Sequence, residues 1–189
     1  MTISTACWVC SSGSQPLPIH IIIDGYNLIR QSPELSRLDS RDLQTGREAL
    51  LDLLAAYKRV KAHRMTVVFD GTRAPGFTPD RDRYKGIAVI FSRRGETADR
   101  VIKRMAARER EGALVVSSDR EVVHHAELSG AATIDSPAFE EKLLLAGYLE
   151  AKGVEAEPAG GWKPTTRKKG PRRRLSKKAR RSRAKIRKL

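Results

Sequence analysis

Asp24, Asp70 and Asp119 each end a short apolar run, Ile19 to Ile23, Met65 to Phe69 and Leu114 to Ser118, while Glu96 and Asp99 follow a fourth, Ile87 to Phe91. Carboxylates gathered in one place repel one another unless a cation sits among them. An all-oxygen set suits a hard divalent ion such as Mg²⁺ or Mn²⁺. The chemistry such a set supports is metal-assisted phosphodiester hydrolysis, in which an activated water attacks phosphorus and the charge on the leaving oxygen is offset.

The neighbours of the acids matter as much as the acids. In Asp24-Gly25-Tyr26-Asn27 a carboxylate meets a permissive glycine, and the Asn27 amide can hold a phosphate oxygen or a metal-bound water. In Gly95-Glu96-Thr97-Ala98-Asp99 the two acids are three residues apart at a helix start and share a face. Glu96 fits a helix-capping role as well as a catalytic one. Arg73, Arg93 and Arg94 lie in loops at the same edge and can grip flanking phosphates or simply be solvated. Other chemistries fail on the residues. Position 26 is Tyr, where a haloacid-type phosphatase needs a second Asp; there is no phosphate-binding Gly-rich loop and no Ser elbow, and His124 and His125 sit mid-helix.

Apolar runs of about five residues that alternate with helical patterns read as buried parallel strands, whose carboxyl ends form the ligand-binding edge. Strands are expected at the first two runs, at 87–91, at 113–117 and at 132–134. Helices are expected over about 41–61, 97–111, 120–128 and 136–152, and residues 71–86 form a long polar loop. The fold class is α/β, a three-layer α/β/α sandwich with a mainly parallel sheet.

Of 189 residues, 37 are Lys or Arg and 22 Asp or Glu; 15 of the basic ones fall between Lys163 and Leu189, leaving 22 against 22 before them. The net charge of +15 belongs to the tail. Lys168, Lys169, Arg172, Arg173 and Arg174 are candidate contacts to a polyanion, most simply nucleic acid. The tail is too poor in aliphatic residues to insert in lipid, and neither a spanning segment nor an export signal is seen, so a cytoplasmic protein is expected. Residues 1–18 read as a disordered Ser/Gly/Pro leader, 19–152 as the domain and 153–189 as a flexible hinge and basic tail. Cys7 and Cys10 make one C-x-x-C pair, too little for zinc, and are given no role.

Together, Asp24-Gly25-Tyr26-Asn27, Phe69-Asp70-Gly71, Gly95-Glu96-Thr97-Ala98-Asp99 and Ser117-Ser118-Asp119 resemble the YacP-like branch of the NYN domains, PIN-like nucleases related to the flap-nuclease fold. The resemblance covers roughly 19–150. It implies a bacterial Mg²⁺- or Mn²⁺-dependent endoribonuclease giving 5′-phosphate and 3′-hydroxyl ends, with mRNA or rRNA as substrate and the ribosome as a further partner. Carried over by position, Asp24, Asp99 and Asp119 hold metal, Asp70 and Glu96 complete the pocket, and Asn27 is the polar partner. Two rivals stand beside it. One is a non-catalytic RNA-binding or ribosome-associated factor working through the tail, the other a DNA-directed nuclease of the same fold. Oligomeric state is not legible.

Overall fold

The computed structural model describes residues 19–71, 81–93, 95–151, 176–187 and 189. The leader with Cys7 and Cys10, the loop residue Arg73, Arg94, and the tail residues Lys168, Lys169, Arg172, Arg173 and Arg174 lie outside the described residues.

The apolar runs become strands β1 (His20–Asp24), β2 (Arg64–Phe69), β4 (Ile87–Phe91), β5 (Ala113–Val116) and β6 (Ala132–Ile134), joined by β3 (Arg81–Tyr84). The sheet order is β3-β4-β2-β1-β5-β6, parallel except for the β3–β4 pair. Helices α1 (Gly25–Gln31), α2 (Pro33–Asp39), α3 (Leu43–Val60) and α6 (Ser136–Ala151) pack on one face. Helices α4 (Ala98–Glu109) and α5 (Arg120–Leu128) pack on the other. The expected three-layer, mainly parallel α/β/α architecture is the one observed.

Strand periodicity splits the core. Ile21, Ile23, Met65, Val67, Leu114 and Val116 face α3 and α6, whereas Ile22, Val68, Ala113 and Val115 face α4 and α5. Asp24 is in phase with Ile22, so its carboxylate leaves the sheet toward α4 and α5. Slipping β1 by one residue against its neighbours would aim it at the wrong layer.

Two expectations need correction. The polar loop read over 71–86 contains β3, whose residues Arg81↔Ile90 to Tyr84↔Ile87 pair antiparallel with β4. It lacks an apolar face because it is an exposed edge strand held by backbone hydrogen bonds.

The end of the tail is also ordered. Helix α7 (Lys177–Ile186) starts on a Ser176 cap that accepts from Ala179 N at 3.2 Å and packs against β6. Arg181 Nη1 donates to both Glu111 carboxylate oxygens at 2.5 and 2.6 Å. Leu189 is buried in the main core, and its carbonyl accepts from Tyr57 Oη at 3.1 Å. The segment docks through Ile186, Leu189 and the partly buried Lys185, too few apolar positions for an apolar-periodicity reading to register. Leu189→Ala is therefore expected to lower the free energy of unfolding by about 2 kcal/mol in urea titrations. A parental unfolding curve would show that Leu189 contributes nothing to the core.

Candidate active site at the carboxyl edge of the sheet

Sheet order reverses at β1: β2 lies on one side and β5 on the other, which opens a crevice at their carboxyl ends. Asp24 closes β1 there and caps α1, its Oδ1 accepting from Asn27 N at 3.1 Å. Asp119 follows β5 and caps α5, its Oδ1 accepting from Glu121 N at 2.7 Å and Val122 N at 3.3 Å. Asp99 lies in the first turn of α4, whose cap is Thr97, so the Asp99 carboxylate is not consumed by capping. Three helix N-termini thus bring their positive ends to the edge that carries the aspartates.

Asp24 is only 7% exposed. Burial, and then the charges of Asp99 and Asp119, push its pKa up to about 6, against the hydrogen bonds from Asn27 N and Ser117. Asp99 is raised as well, first by burial, then by Asp119, with Glu121 and Asp70 adding to it and Lys103 opposing. Asp24 thus feels Asp99 and Asp119, and Asp99 feels Asp119, Glu121 and Asp70, so these acids form one neighbourhood. Burial is the larger cause for both, and repulsion between neighbouring carboxylates adds to it, an arrangement in which a cation would be accommodated.

Serines position this unit. Ser117 Oγ donates to Asp24 Oδ2 at 3.3 Å and accepts from Asp119 N at 3.2 Å, tying the ends of β1 and β5 together. Ser92 Oγ donates to Asp70 Oδ1 at 3.4 Å and accepts from Gly71 N at 2.9 Å. Asn27 Oδ1 accepts from Ser118 N at 2.9 Å and Ser136 Oγ at 2.8 Å, so its carbonyl end fastens the loops after β5 and β6. Only its Nδ2 amide remains to meet a ligand. Ser117 was visible in its motif; Ser92 and Ser136 carried no sequence signal, because they act through contacts made across the fold.

The two motif glycines answer a close approach. A Cβ on Gly25 would lie 2.3 Å from the Phe69 ring, and one on Gly71 would lie 2.0 Å from the Ser92 carbonyl oxygen. Either substitution would push apart strand ends that carry acids.

Glu96 stands apart from the others. It pairs with Arg104 on α4, and that bond, helped by Arg93 and Arg100, holds its pKa below the ordinary carboxylate range. Glu96→Gln is accordingly expected to change turnover less than about tenfold, unlike the aspartates. A loss as deep as that of Asp24→Asn would bring Glu96 into the acidic unit.

The acidic unit offers carboxylate oxygens alone, a donor set that fits a hard divalent ion. Among the described residues no three His, Cys, Asp or Glu side chains are close enough to enclose one ion. No described helix is long and apolar enough to cross a membrane.

The profile of the YacP-like NYN domain family matches residues 21–188. YacP of Bacillus subtilis is 31% identical over 86 residues, which are 46% of this chain and 50% of the relative, so the match spans half the length of that curated protein. Among solved structures, Rae1 (YacP) of Bacillus subtilis superposes with a TM-score of 0.60 at 23% identity, over 71% of this chain and 78% of that one. A mutant form of it gives 0.59 at 24%, over 75% and 86%. At that identity the likeness shows a shared fold.

Proposed function

Because this chain belongs to the YacP-like NYN domain family, a PIN-like nuclease-type domain, we propose that it is a metal-dependent endoribonuclease that cuts single-stranded RNA to 5′-phosphate and 3′-hydroxyl ends. The observation that carries the reading is the convergence of Asp24, Asp99 and Asp119 at the switch point of the sheet, where Asp99 and Asp119 add to the burial that raises Asp24, and Asp119 and Asp70 add to the burial that raises Asp99. A structural acid is normally stabilised by its surroundings; these are destabilised by theirs, and a bound cation removes the penalty.

In this reading Asp24, Asp99 and Asp119 would share the ion, directly or through its bound waters, and Asp70, braced by Ser92, would contribute from the neighbouring strand. When bound, the Mg²⁺ or Mn²⁺ supplies an activated water and charge neutralisation at the scissile phosphate. The chain's own part is to hold the carboxylates still: Ser117 fixes Asp24 against Asp119, and the α5 amides fix Asp119. Asn27 presents Nδ2 toward a phosphate oxygen. The basic tail gathers RNA before the cut, and no feature among the described residues speaks for the ribosome.

The test is incubation of the purified chain with labelled RNA and DNA in Mg²⁺, Mn²⁺ or EDTA, beside Asp24→Asn. RNA cleavage that needs metal and Asp24 supports the proposal. Metal-dependent cleavage of DNA alone makes it a deoxyribonuclease, and tight RNA binding without turnover under any metal leaves the binding-factor reading.

A further inference from the structure

Helix α4 covers β1, β5 and part of β2, and on that face β4, whose Ile90 packs at the rim of the α4–α5 core, and β3 are only partly covered by described residues. What remains is an open trough of about 1010 Å³. Its floor is the outer sheet, where Thr66, Ala88 and Ile90 share a face with the side chains of Arg81 and Arg83. Its wall is α4, and its upper end is formed by Arg93 and Glu96, beside the carboxyl edge where the aspartates stand.

Six arginines line this trough, Arg64, Arg81, Arg83, Arg93, Arg104 and Arg108, against two carboxylates, Asp82 and Glu96. Neither carboxylate cancels the pair on the edge strand. Glu96 is engaged by Arg104, and Asp82 accepts from the backbone N of Arg83 at 2.6 Å. Arg81 and Arg83 have no carboxylate partner among the described residues. On an edge strand, alternate arginines on one face project about 7 Å apart along the chain direction. Two guanidinium groups at that spacing, with no carboxylate partner among the described residues and an apolar floor beneath them, are arranged for successive anions on a flexible chain, since Arg forks bind phosphate bidentately.

We propose that this trough is the track along which a single-stranded nucleic acid lies as it enters the acidic site, with Arg81 and Arg83 gripping phosphates upstream of the cut. The inference rests on the nuclease reading for its direction, not for its binding. Strand β4 gives the trough a length of about 17 Å and a floor about 10 Å wide, room for a few nucleotides of one strand. The apolar floor of Ala88 and Ile90, with Val101 and Met105 on α4, suits the faces of sugars and bases.

The experiment uses the full chain in EDTA, so that binding is read without cleavage, with a short oligonucleotide as RNA and as DNA. For Arg81→Ala/Arg83→Ala, affinity at about 100 mM salt is expected to fall about tenfold, and the slope of log K against log salt to become shallower by about 1.4. Arg37→Ala, on exposed α2, should leave both unchanged. In Mg²⁺ the double variant should show a raised KM for RNA. Parental affinity and slope in the double variant, or an equal loss in Arg37→Ala, would overturn the track. Unchanged RNA binding with lost binding of polyglutamate would overturn it in favour of an acidic protein partner. If no form of the protein cleaves but the double variant still loses affinity, the nuclease reading fails and the track stands.

Discussion

Asp24→Asn is expected to lower RNA cleavage by about a hundredfold or more and, at the same time, to make the metal-free protein more stable at neutral pH. Loss of activity follows from removing a charge that the ion needs. The gain in stability follows from burial. The Asp24 carboxyl is pushed up to about 6 from an ordinary 3.8 by desolvation and by Asp99 and Asp119. Below about pH 4 both folded and unfolded chains keep this proton, and Asp24 carries no penalty. As pH rises from about 4 to about 6 the unfolded chain releases it while the folded chain still holds it, so stability falls by about 3 kcal/mol in total.

An Asn at position 24 has no such loss and still caps α1, since its side-chain oxygen can accept from Asn27 N. Thermal melts in EDTA should therefore coincide near pH 4 and separate progressively up to pH 7, the variant melting higher. Adding Mg²⁺ should raise the parent and leave the variant where it is, because an ion that binds only the folded parent stabilises only the parent. Parallel melting curves from pH 4 to 7 would show that Asp24 is not a strained acid, whatever the activity assay reports.

Asp99→Asn and Asp119→Asn are expected to come next, each lowering turnover by about a hundredfold with the fold retained. Their structural duties differ, which separates a chemical loss from a mechanical one. Asp99 caps nothing, because Thr97 holds the N-terminus of α4. Asp119 caps α5 through Glu121 N and Val122 N, a role that Asn keeps and Ala loses at a cost of about 1 kcal/mol. Asp119→Asn should thus melt like the parent yet be inactive, whereas Asp119→Ala should be inactive and less stable. Combining Asp99→Asn with Asp119→Asn should lower the rate little further than either alone, because groups that hold one ion fail together. Single-turnover cleavage in Mg²⁺ decides the matter. Two single variants cutting at parental rates would dismiss this pair as ligands.

The sequence by itself determined the five buried strands, the α/β class and the candidate acids. A five-residue apolar run can be satisfied in water only by burial on both faces, and a carboxylate after such a run can only emerge at an edge of the sheet. Once the structure assigns Ile22 to the α4–α5 layer, strand periodicity carries Asp24 to the same side. Tertiary structure alone decided the rest. The motif leaves Glu96 open between capping and catalysis, and what separates it from Asp99 is Arg104 on α4, which takes Glu96. Ser92 and Ser136 lie 22 and 109 residues from the groups they brace, Asp70 and Asn27, so only chain packing reveals them. Strand β3 has no apolar pattern because it forms by lending its backbone to β4, and the α7 segment docks through little more than Ile186 and Leu189 within a run of basic residues. Hydrophobic patterning records what a segment must hide from water. It is silent on polar contacts between distant segments, and those contacts decide which carboxylates the fold brings together.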